Sequence, residues 1–467
     1  MNAPFSRRRF LQNAAAALAA PAIVPAAVFA SGNRPVASER ITVGVVGCGA
    51  RGFANLQELL KLPDCQVVGV CDVDTFHYRE HTTRKGRPYG LEPAKLHVEQ
   101  HYAKQKESGS EFKGVTAVSD YRELCGRDDI DAILVATPDH WHALNVLEAL
   151  RAGKDVYCEK PVTHRFAEGQ MIYREAAKRE AIFQTGSQQR SEKNFHRAVE
   201  IVRNGLIGKV TRVEVGLPAG YEGPMGSTKE EAPPAQLDYE MWTGPTRMMP
   251  YMRARSHRWW RGHSNYGGGN IMDWIGHHND IAHWGMDFDQ GGPLSVEAVG
   301  WTWPEGGDVY DCPVDYEIRC EYPGGIAWSI ASKHKSGTKW IGEDGWVWVN
   351  RGAIEASDPW ATGERKGTSP HGPLAEYVAR DANPGPAKAY ASPGHHRNFI
   401  DGIKSRKPCI CPAETGHRSI TPGHLAFVAN EVGRKLKWEA KKETIVGDEA
   451  AQELLMAVPY REGWSLG

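Results

Sequence analysis

Two patterns of hydrophobic and polar positions divide the chain near residue 164. Before it, short apolar runs alternate with amphipathic segments of helical period. Apolar runs of this kind are typical of strands buried on both faces, and a strand–helix–strand rhythm predicts a parallel sheet covered by helices. Over residues 40–163 the pattern therefore predicts a doubly wound parallel α/β domain. The strands are expected at Ile41–Val46, Gln66–Cys71, Asp131–Thr137 and Asp155–Glu159.

After residue 164 the strands alternate between apolar and polar positions. Helices are expected at Phe166–Arg179 and Asn194–Asn204, followed by alternating segments such as Lys209–Leu217 and Tyr316–Tyr322. Alternation is typical of antiparallel strands with one solvated face. Residues 164–467 are therefore expected to form an α+β domain with a largely antiparallel sheet, and part of 395–437 is expected to pack back on the first domain.

The first 30 residues have the pattern of an export signal. Ser6–Gln12 has the sequence S-R-R-R-F-L-Q, and the apolar stretch Ala14–Ala30 ends in small residues suited to cleavage. Pro21 and Pro25 interrupt this stretch, which is too short and broken for a membrane span. We expect residues 1–30 to be a twin-arginine signal and 31–39 a linker. The mature protein is then expected in the periplasm or otherwise outside the cytoplasm, exported after folding.

The charge balance and the cysteine positions limit which partners and metal sites the chain can be expected to have. The chain has 56 Lys and Arg against 57 Asp and Glu, which argues against a nucleic-acid partner. Most of the nine cysteines fall on apolar runs and are expected to be small buried residues. A Cys312–Cys320 bridge is left open, and Cys409 and Cys411 lack the other ligands of a zinc site.

A glycine-rich turn follows the first predicted strand. Gly47–Gly52 has the spacing G-x-G-x-x-G, and Asp72 ends the next strand, 20 residues after Gly52. Such a turn lets a helix N-terminus face a pyrophosphate, and an acidic residue at the second strand binds ribose hydroxyls. This is the Rossmann fingerprint. Because Val73 and Asp74 follow, with no arginine for a 2′-phosphate, the pattern favours NAD. Export after folding further predicts a cofactor that stays bound.

Asp273 and His277 are spaced four residues apart on a predicted helix. They would share one face, where a carboxylate can orient an imidazole that takes a proton from a hydroxyl. The same pair could hold zinc, but no further ligand set accompanies it, so no metal site is predicted.

Several motifs together resemble those of the glucose–fructose oxidoreductase / inositol dehydrogenase / MocA family. They include A-T-P-D-H-W-H at 136–142, C-E-K-P at 158–161, the segment 267–280 around the Asp–His pair, and H-R-N-F-I-D-G-I at 396–403. The resemblance extends over nearly the whole mature chain.

The resemblance implies roles for individual residues. Catalysis is expected from Lys160, Asp273 and His277. Cofactor contacts are expected from Gly47, Gly49, Ala50, Arg51, Gly52, Asp72, Thr137, Pro138, His142, Glu159 and Lys160. Substrate contacts are expected from His140, Arg190, Trp259, Trp260 and His278, although His140 could instead cap the following helix and the tryptophans could fill the core.

Together these features predict an exported NAD-dependent oxidoreductase that acts on a sugar, polyol or glycoside hydroxyl. Two alternatives stay open: a redox-neutral NAD-dependent glycosidase or lyase that oxidises the sugar transiently, and a non-catalytic sugar-binding protein. The resemblance also implies a homo-oligomer, and the sequence offers no stable membrane insertion.

Overall fold

The computed structural model describes residues 35–79, 86–105, 111–357 and 386–467. The predicted signal, residues 1–30, and the first part of the linker lie outside this range. Among the described residues no helix has the length and apolar character that crossing a membrane requires.

The first domain is built on a six-stranded parallel sheet in the order β5-β2-β1-β6-β7-β8. Its strands, numbered by chain order, are β1 Ile41–Val46, β2 Cys65–Cys71, β5 Thr116–Val118, β6 Ala132–Val135, β7 Asp155–Cys158 and β8 Phe183–Thr185. Its helices are α1 Ala50–Leu60, α2 Leu91–Lys104, α3 Tyr121–Cys125, α4 Asp139–Arg151 and α5 Phe166–Lys178. A short two-stranded sheet joins β3 His77–Tyr78 to β4 Pro88–Tyr89.

The strand order places the glycine-rich turn at the topological switch point. β1 lies between β2 and β6, so the chain leaves β1 in one direction and later returns on its other side. Ligands of open parallel sheets bind at the carboxyl ends of the strands beside such a point. The predicted doubly wound sheet is confirmed, and β8 extends it beyond residue 163.

The second sheet has nine strands in the order β15-β14-β13-β9-β12-β11-β10-β16-β17. Only the β9–β12 pair is parallel, so the predicted largely antiparallel sheet is confirmed. The strands are β9 Val210–Gly216, β10 Ser295–Val299, β11 Glu317–Tyr322, β12 Ile326–Ala331, β13 Gly337–Gly342, β14 Trp346–Asn350, β15 Ala353–Ala356, β16 Leu436–Glu439 and β17 Thr444–Ile445. The accompanying helices are α6 Lys193–Arg203, α7 Tyr239–Thr243, α8 Gly269–Met286, α9 His395–Ser405, α10 Ala413–Val432 and α11 Glu449–Met456.

Two helices of this half bring its residues to the first domain. α8 is buried along most of its length and packs against α6, α10 and the second sheet. On α9, Phe399, Ile400 and Ile403 join the core of the parallel sheet beside Leu56 and Leu59. Segment 395–405 therefore packs on the Rossmann half.

All nine cysteines are free and buried. Cys312 and Cys320 form no bridge, and the Cys312 thiol instead faces the carbonyl of Gly267 at 3.6 Å.

Candidate functional site

A cavity of about 990 Å³ opens at the carboxyl ends of the parallel strands. One wall is the glycine-rich turn with the ends of β2, β6 and β7, and the opposite wall is formed by α8 and the segment 257–261. Both halves of the molecule therefore contribute to one site, which has the size and position of a ligand pocket.

The glycine-rich turn is fitted to a dinucleotide by its backbone. Gly47 has φ +87° and no room for a side chain, because a Cβ would lie 2.7 Å from the carbonyl carbon of Ala136. A Cβ at Gly52 would lie 1.8 Å from the Gly47 oxygen, whereas a Cβ at Gly49 would meet nothing within 4 Å on the cavity side. The turn leads into the N-terminus of α1 at Ala50, which lines the cavity, and a helix N-terminus in this position favours binding of an anion.

Asp72 lies at the tip of β2 and lines the same cavity. Its carboxylate accepts hydrogen bonds from the backbone amides of Cys48 at 2.7 Å and Asp74 at 2.9 Å. Burial raises the pKa of Asp72 to about 7. The amides fix the carboxylate beside the glycine turn, in the position where such a group binds the adenosine ribose.

Glu159 links the glycine turn to the second half of the site. Its Oε1 accepts hydrogen bonds from Arg51 Nε at 2.8 Å, Asn55 Nδ2 at 2.9 Å and Gln188 Nε2 at 2.8 Å. Burial would raise the pKa of Glu159, but Arg51 outweighs it and holds the pKa below its usual value. Glu159 is therefore an ionised group that anchors the wall of the cofactor pocket.

Lys160, Asp273 and Arg261 form a partly buried ion network on the opposite side. Lys160 Nζ lies 2.7 Å from Asp273 Oδ1 and donates a further hydrogen bond to the Asp273 carbonyl at 2.7 Å, and Arg261 Nε lies 3.2 Å from the same carboxylate oxygen. Burial opposes ionisation of Asp273, yet the two cations outweigh it and hold its pKa well below the usual range. The lysine ammonium is thus fixed at the cavity wall.

His277 lines the cavity one helical turn after Asp273. Burial, and next the charges of Lys160 and Arg351, hold the pKa of His277 well below its usual value. The expected Asp273–His277 pairing is not formed, because the Asp273 carboxylate is taken by Lys160 and Arg261. The imidazole is instead neutral at pH 7 and rests at the edge of the Trp274 ring, with centroids 5.6 Å apart.

His142 also lines the cavity, next to Thr137 and Pro138. Its Nδ1 lies 2.7 Å from the Pro161 carbonyl and its Nε2 3.0 Å from the Thr137 carbonyl. His142 therefore joins the A-T-P turn to the E-K-P turn, and it shapes the pocket through the backbone.

Four of the five expected substrate residues are not among the residues that line the cavity. His140 is buried between the carbonyls of Trp242 and Tyr266, at 3.0 and 3.3 Å. Arg190 is fully buried, where it binds Asp280 and Asp289 at 2.7 Å each. His278 is buried and stacks on Trp274, and Trp259 packs under Arg258. Of the five, only Trp260 lines the cavity.

Among the charged lining residues that the sequence interpretation missed, three contact or border the ion network of the site. Arg261 reaches Asp273 from a short 3₁₀ turn, and Arg351 reaches over Trp274 from the β14–β15 hairpin. Asp139, at the start of α4, lines the cavity in a buried position, and burial together with the Asp273 charge raises its pKa well above the usual value. Asp139 directly follows the T-P turn, which is the one sequence signal that could have found it.

The fold and this cavity define a Rossmann-type nucleotide-binding protein with an acid–base cluster facing the nucleotide site. Residues 41–187 match the family model described as the oxidoreductase family, NAD-binding Rossmann fold, and residues 192–302 and 386–466 match the C-terminal alpha/beta domain of the same family. The chain belongs to the Gfo/Idh/MocA oxidoreductase family, which binds NAD.

Individual relatives are distant. The chain is 28% identical over 197 residues to a myo-inositol 2-dehydrogenase of Thermotoga maritima, covering 42% of this chain and 47% of that protein. It is 27% identical over 183 residues to an alpha-N-acetylgalactosaminidase of Shewanella oneidensis, covering 38% and 34%. The chain thus spans less than half the length of the curated relatives it matches. The solved WlbA dehydrogenase of Bordetella pertussis, a complex with NADH and UDP-GlcNAcA, shares the fold with a TM-score of 0.56, 16% identity and coverage of 86% and 99%.

Proposed function

We propose that this protein is an exported NAD-dependent oxidoreductase that oxidises a hydroxyl of a sugar, polyol or glycoside. The observation that carries the proposal is the arrangement of Lys160, Asp273 and Arg261 beside a neutral His277, all facing the nucleotide cavity. Oxidation of a secondary hydroxyl needs a base that accepts the hydroxyl proton and a cation that stabilises charge on the oxygen. His277 and Lys160 can supply these two functions, and both line the cavity.

The cofactor site would be formed by the glycine turn Gly47–Gly52, Asp72, the A-T-P turn and Glu159 of the E-K-P turn. Bound NAD would supply the acceptor for the hydrogen that leaves the hydroxyl-bearing carbon with its electron pair. Neutral His277 takes the hydroxyl proton, because its low pKa leaves a ring nitrogen free to accept one at pH 7. The Lys160 ammonium, fixed by Asp273, stabilises the charge that develops on the oxygen.

A spectroscopic assay with the purified, undialysed full chain tests this function. Addition of an oxidisable sugar or polyol should produce NADH absorbance up to one equivalent of bound cofactor. The variant Lys160→Met should bind the same amount of nucleotide and give no such signal. If a broad panel of sugars and glycosides produces neither NADH nor product, while sugar binding saturates, the protein is the non-catalytic alternative.

A redox-neutral glycosidase is the second candidate. The similarity to the Shewanella oneidensis alpha-N-acetylgalactosaminidase favours it. In that case chromogenic glycosides should release their leaving group in multiple turnovers with no net change in NADH absorbance. Stoichiometric NADH without release of the leaving group supports the dehydrogenase instead.

Export belongs to the same proposal, on the strength of the motif Ser6–Gln12. The variant with Arg7→Lys and Arg8→Lys should accumulate in the cytoplasm, uncleaved and loaded with NAD. Normal export of this variant would refute the twin-arginine route.

A homo-oligomer is also proposed, and light scattering of the purified chain tests it.

A further inference from the structure

We infer that Asp74, His77 and His257 form a binding site for a divalent transition metal of the zinc class at the rim of the nucleotide cavity. The two imidazoles and the carboxylate lie outside the acid–base cluster, and the proposed activity assigns them no role. This inference concerns a second site and does not depend on the reaction catalysed at the first.

The ligand atoms of the three side chains lie close together. His257 Nε2 lies 3.0 Å and His77 Nδ1 3.5 Å from Asp74 Oδ2, and the three ligand atoms lie within 4.8 Å of one another. Nitrogen and oxygen ligands about 2.0–2.2 Å from a tetrahedral zinc are separated from each other by about 3.3 Å, which falls between the two distances observed. The spacing therefore fits a shared ion.

The two imidazole rings stack, with centroids 3.9 Å apart and planes 8° apart. Coordination of one ion by both rings would require one ring to turn about its Cβ–Cγ bond, a torsion with a broad energy well. The other carboxylate oxygen of Asp74 accepts the Phe76 amide at 3.0 Å. Asp74 Oδ2 is thereby held toward the rings.

Burial and backbone geometry show that the cluster is a constrained part of the structure. The Asp74 side chain is 2% exposed, and those of His77 and His257 are each 7% exposed. His257 has φ +46°, a left-handed conformation that costs a non-glycine residue on the order of 1 kcal/mol or more. Such a conformation persists only where the surrounding structure holds it in place.

The ligand set favours zinc or a similar late transition metal over magnesium or calcium. Imidazole nitrogen suits zinc, copper and nickel, whereas magnesium and calcium require oxygen ligands. Three protein ligands leave a fourth position for water or a ligand oxygen. Since His77 and His257 both line the cavity, that position lies at its edge.

A bound ion would join two walls of the nucleotide cavity. Asp74 and His77 follow β2, two and five residues after Asp72, whereas His257 begins the 3₁₀ turn that carries Arg261. The segment after β2 also contacts the stretch before α7, where the Thr75 amide lies 3.1 Å from the Gln236 carbonyl. The ion would therefore hold Asp72, the carboxylate placed for ribose binding, and Arg261, the partner of Asp273, in fixed positions relative to each other.

Zinc binding to the tag-free full chain tests the site. After dialysis against a chelator, titration with ZnCl₂ in competition with a chromophoric chelator should show one tight equivalent per chain, and millimolar Mg²⁺ or Ca²⁺ should not displace it. His77→Asn and His257→Asn should each weaken this binding by about 100-fold, since each removes one of three ligands. His334→Asn, which changes an imidazole bound to Ser329 far along the chain, should bind zinc as the wild type does.

The inference is overturned if the wild type binds no zinc, or if both ligand variants bind it as tightly as His334→Asn. Should His257→Asn fail to fold, Co²⁺ added to the wild type decides the matter. A visible d–d band characteristic of nitrogen ligation supports the site, and the spectrum of aqueous Co²⁺ overturns it. Protection of the thermal unfolding midpoint by Zn²⁺ gives a further readout independent of turnover.

Discussion

At the scale of single residues, the site is defined by how charge is distributed between two neighbouring groups on α8. Asp273 is held ionised by two cations, and His277 is held neutral by burial and by the same lysine. A partly buried cation–carboxylate pair fixes geometry, whereas a buried neutral imidazole keeps a proton acceptor available. Lys160 therefore serves both groups at once.

Lys160→Ala and His277→Ala should each lower kcat by about 10²–10⁴-fold, the range for a positioned acid–base group. Nucleotide content should remain near normal, because both side chains lie on the α8 side of the cavity and not in the glycine turn. Steady-state kinetics on the true substrate and mass spectrometry of the heat-released nucleotide measure the two effects. Full activity in either variant would contradict the assigned roles.

The acid limb of the kcat/KM profile should lie below the pH range of an ordinary histidine, because His277 must lose its proton to act as a base. Arg351→Gln removes one of the charges that lower this pKa, so the limb should move to higher pH. The pH profiles of the two enzymes provide the comparison, with Arg319→Gln on the outer sheet face as a control. An unmoved limb would mean that another group sets it.

Arg190 is predicted to act in stability and not in substrate binding. It is 0% exposed and bridges Asp280 and Asp289, so Arg190→Ala leaves a buried carboxylate without its cation. Such a loss costs about 3–5 kcal/mol. Urea unfolding should show this loss, while KM of the folded enzyme should be unchanged; a stable variant with a raised KM would restore Arg190 to the substrate site.

At the scale of elements, the cofactor pocket depends on the join between β1 and α1. The turn is tight because Gly47 adopts a left-handed φ and Gly52 lets the helix approach the Gly47 carbonyl. Only a residue without Cβ fits these two positions. Gly49 differs, because a Cβ at this position would meet no other atom of the protein within 4 Å and the residue lines the cavity.

Gly52→Ala and Gly49→Ala should therefore fail in different ways. Gly52→Ala should lower both the unfolding midpoint and nucleotide binding, because the added Cβ meets backbone at 1.8 Å. Gly49→Ala should fold normally and bind NAD at least about tenfold more weakly, because its Cβ would enter the cavity where a pyrophosphate would bind at the helix N-terminus. Calorimetric unfolding and NAD titration separate the two; equal stability of both variants would contradict the packing argument.

At the scale of the whole molecule, the fold buries an unusual number of neutral imidazoles. Burial lowers the pKa of six histidines to about 3 or about 4. They are His140, His278, His283, His395, His396 and His424. In the unfolded chain the same side chains take up protons near pH 6.5.

Stability should consequently fall as the pH drops below about 6.5. Because the folded pKa values are depressed, the unfolded chain binds more protons in this range, and each histidine contributes up to about 1.4 kcal/mol per pH unit. Urea midpoints at pH 7.5 and 5.0 measure the effect, and pH 8.5 is the control because these groups are neutral there in both states. Equal midpoints at pH 7.5 and 5.0 would show that the histidines become charged without unfolding.

The sequence by itself determined the features that depend on neighbours along the chain. The buried strands Ile41–Val46 and Asp155–Cys158, the glycine turn and the position of Asp72 follow from local periodicity and from turns that only glycine permits. The two fold classes also followed from local pattern. Strands buried on both faces are continuously apolar and indicate a parallel sheet, whereas strands with one solvated face alternate and indicate an antiparallel sheet.

Only the tertiary structure decided which charges meet. Arg261 lies about a hundred residues from Lys160, and no periodicity links the two to Asp273. The resemblance implies substrate contacts for His140 and Arg190, yet both residues are buried in the folded chain. Ion pairing and burial are set by the path of the folded chain, so the partners of Asp273, the neutrality of His277 and the cluster at Asp74 emerge only when distant segments come together.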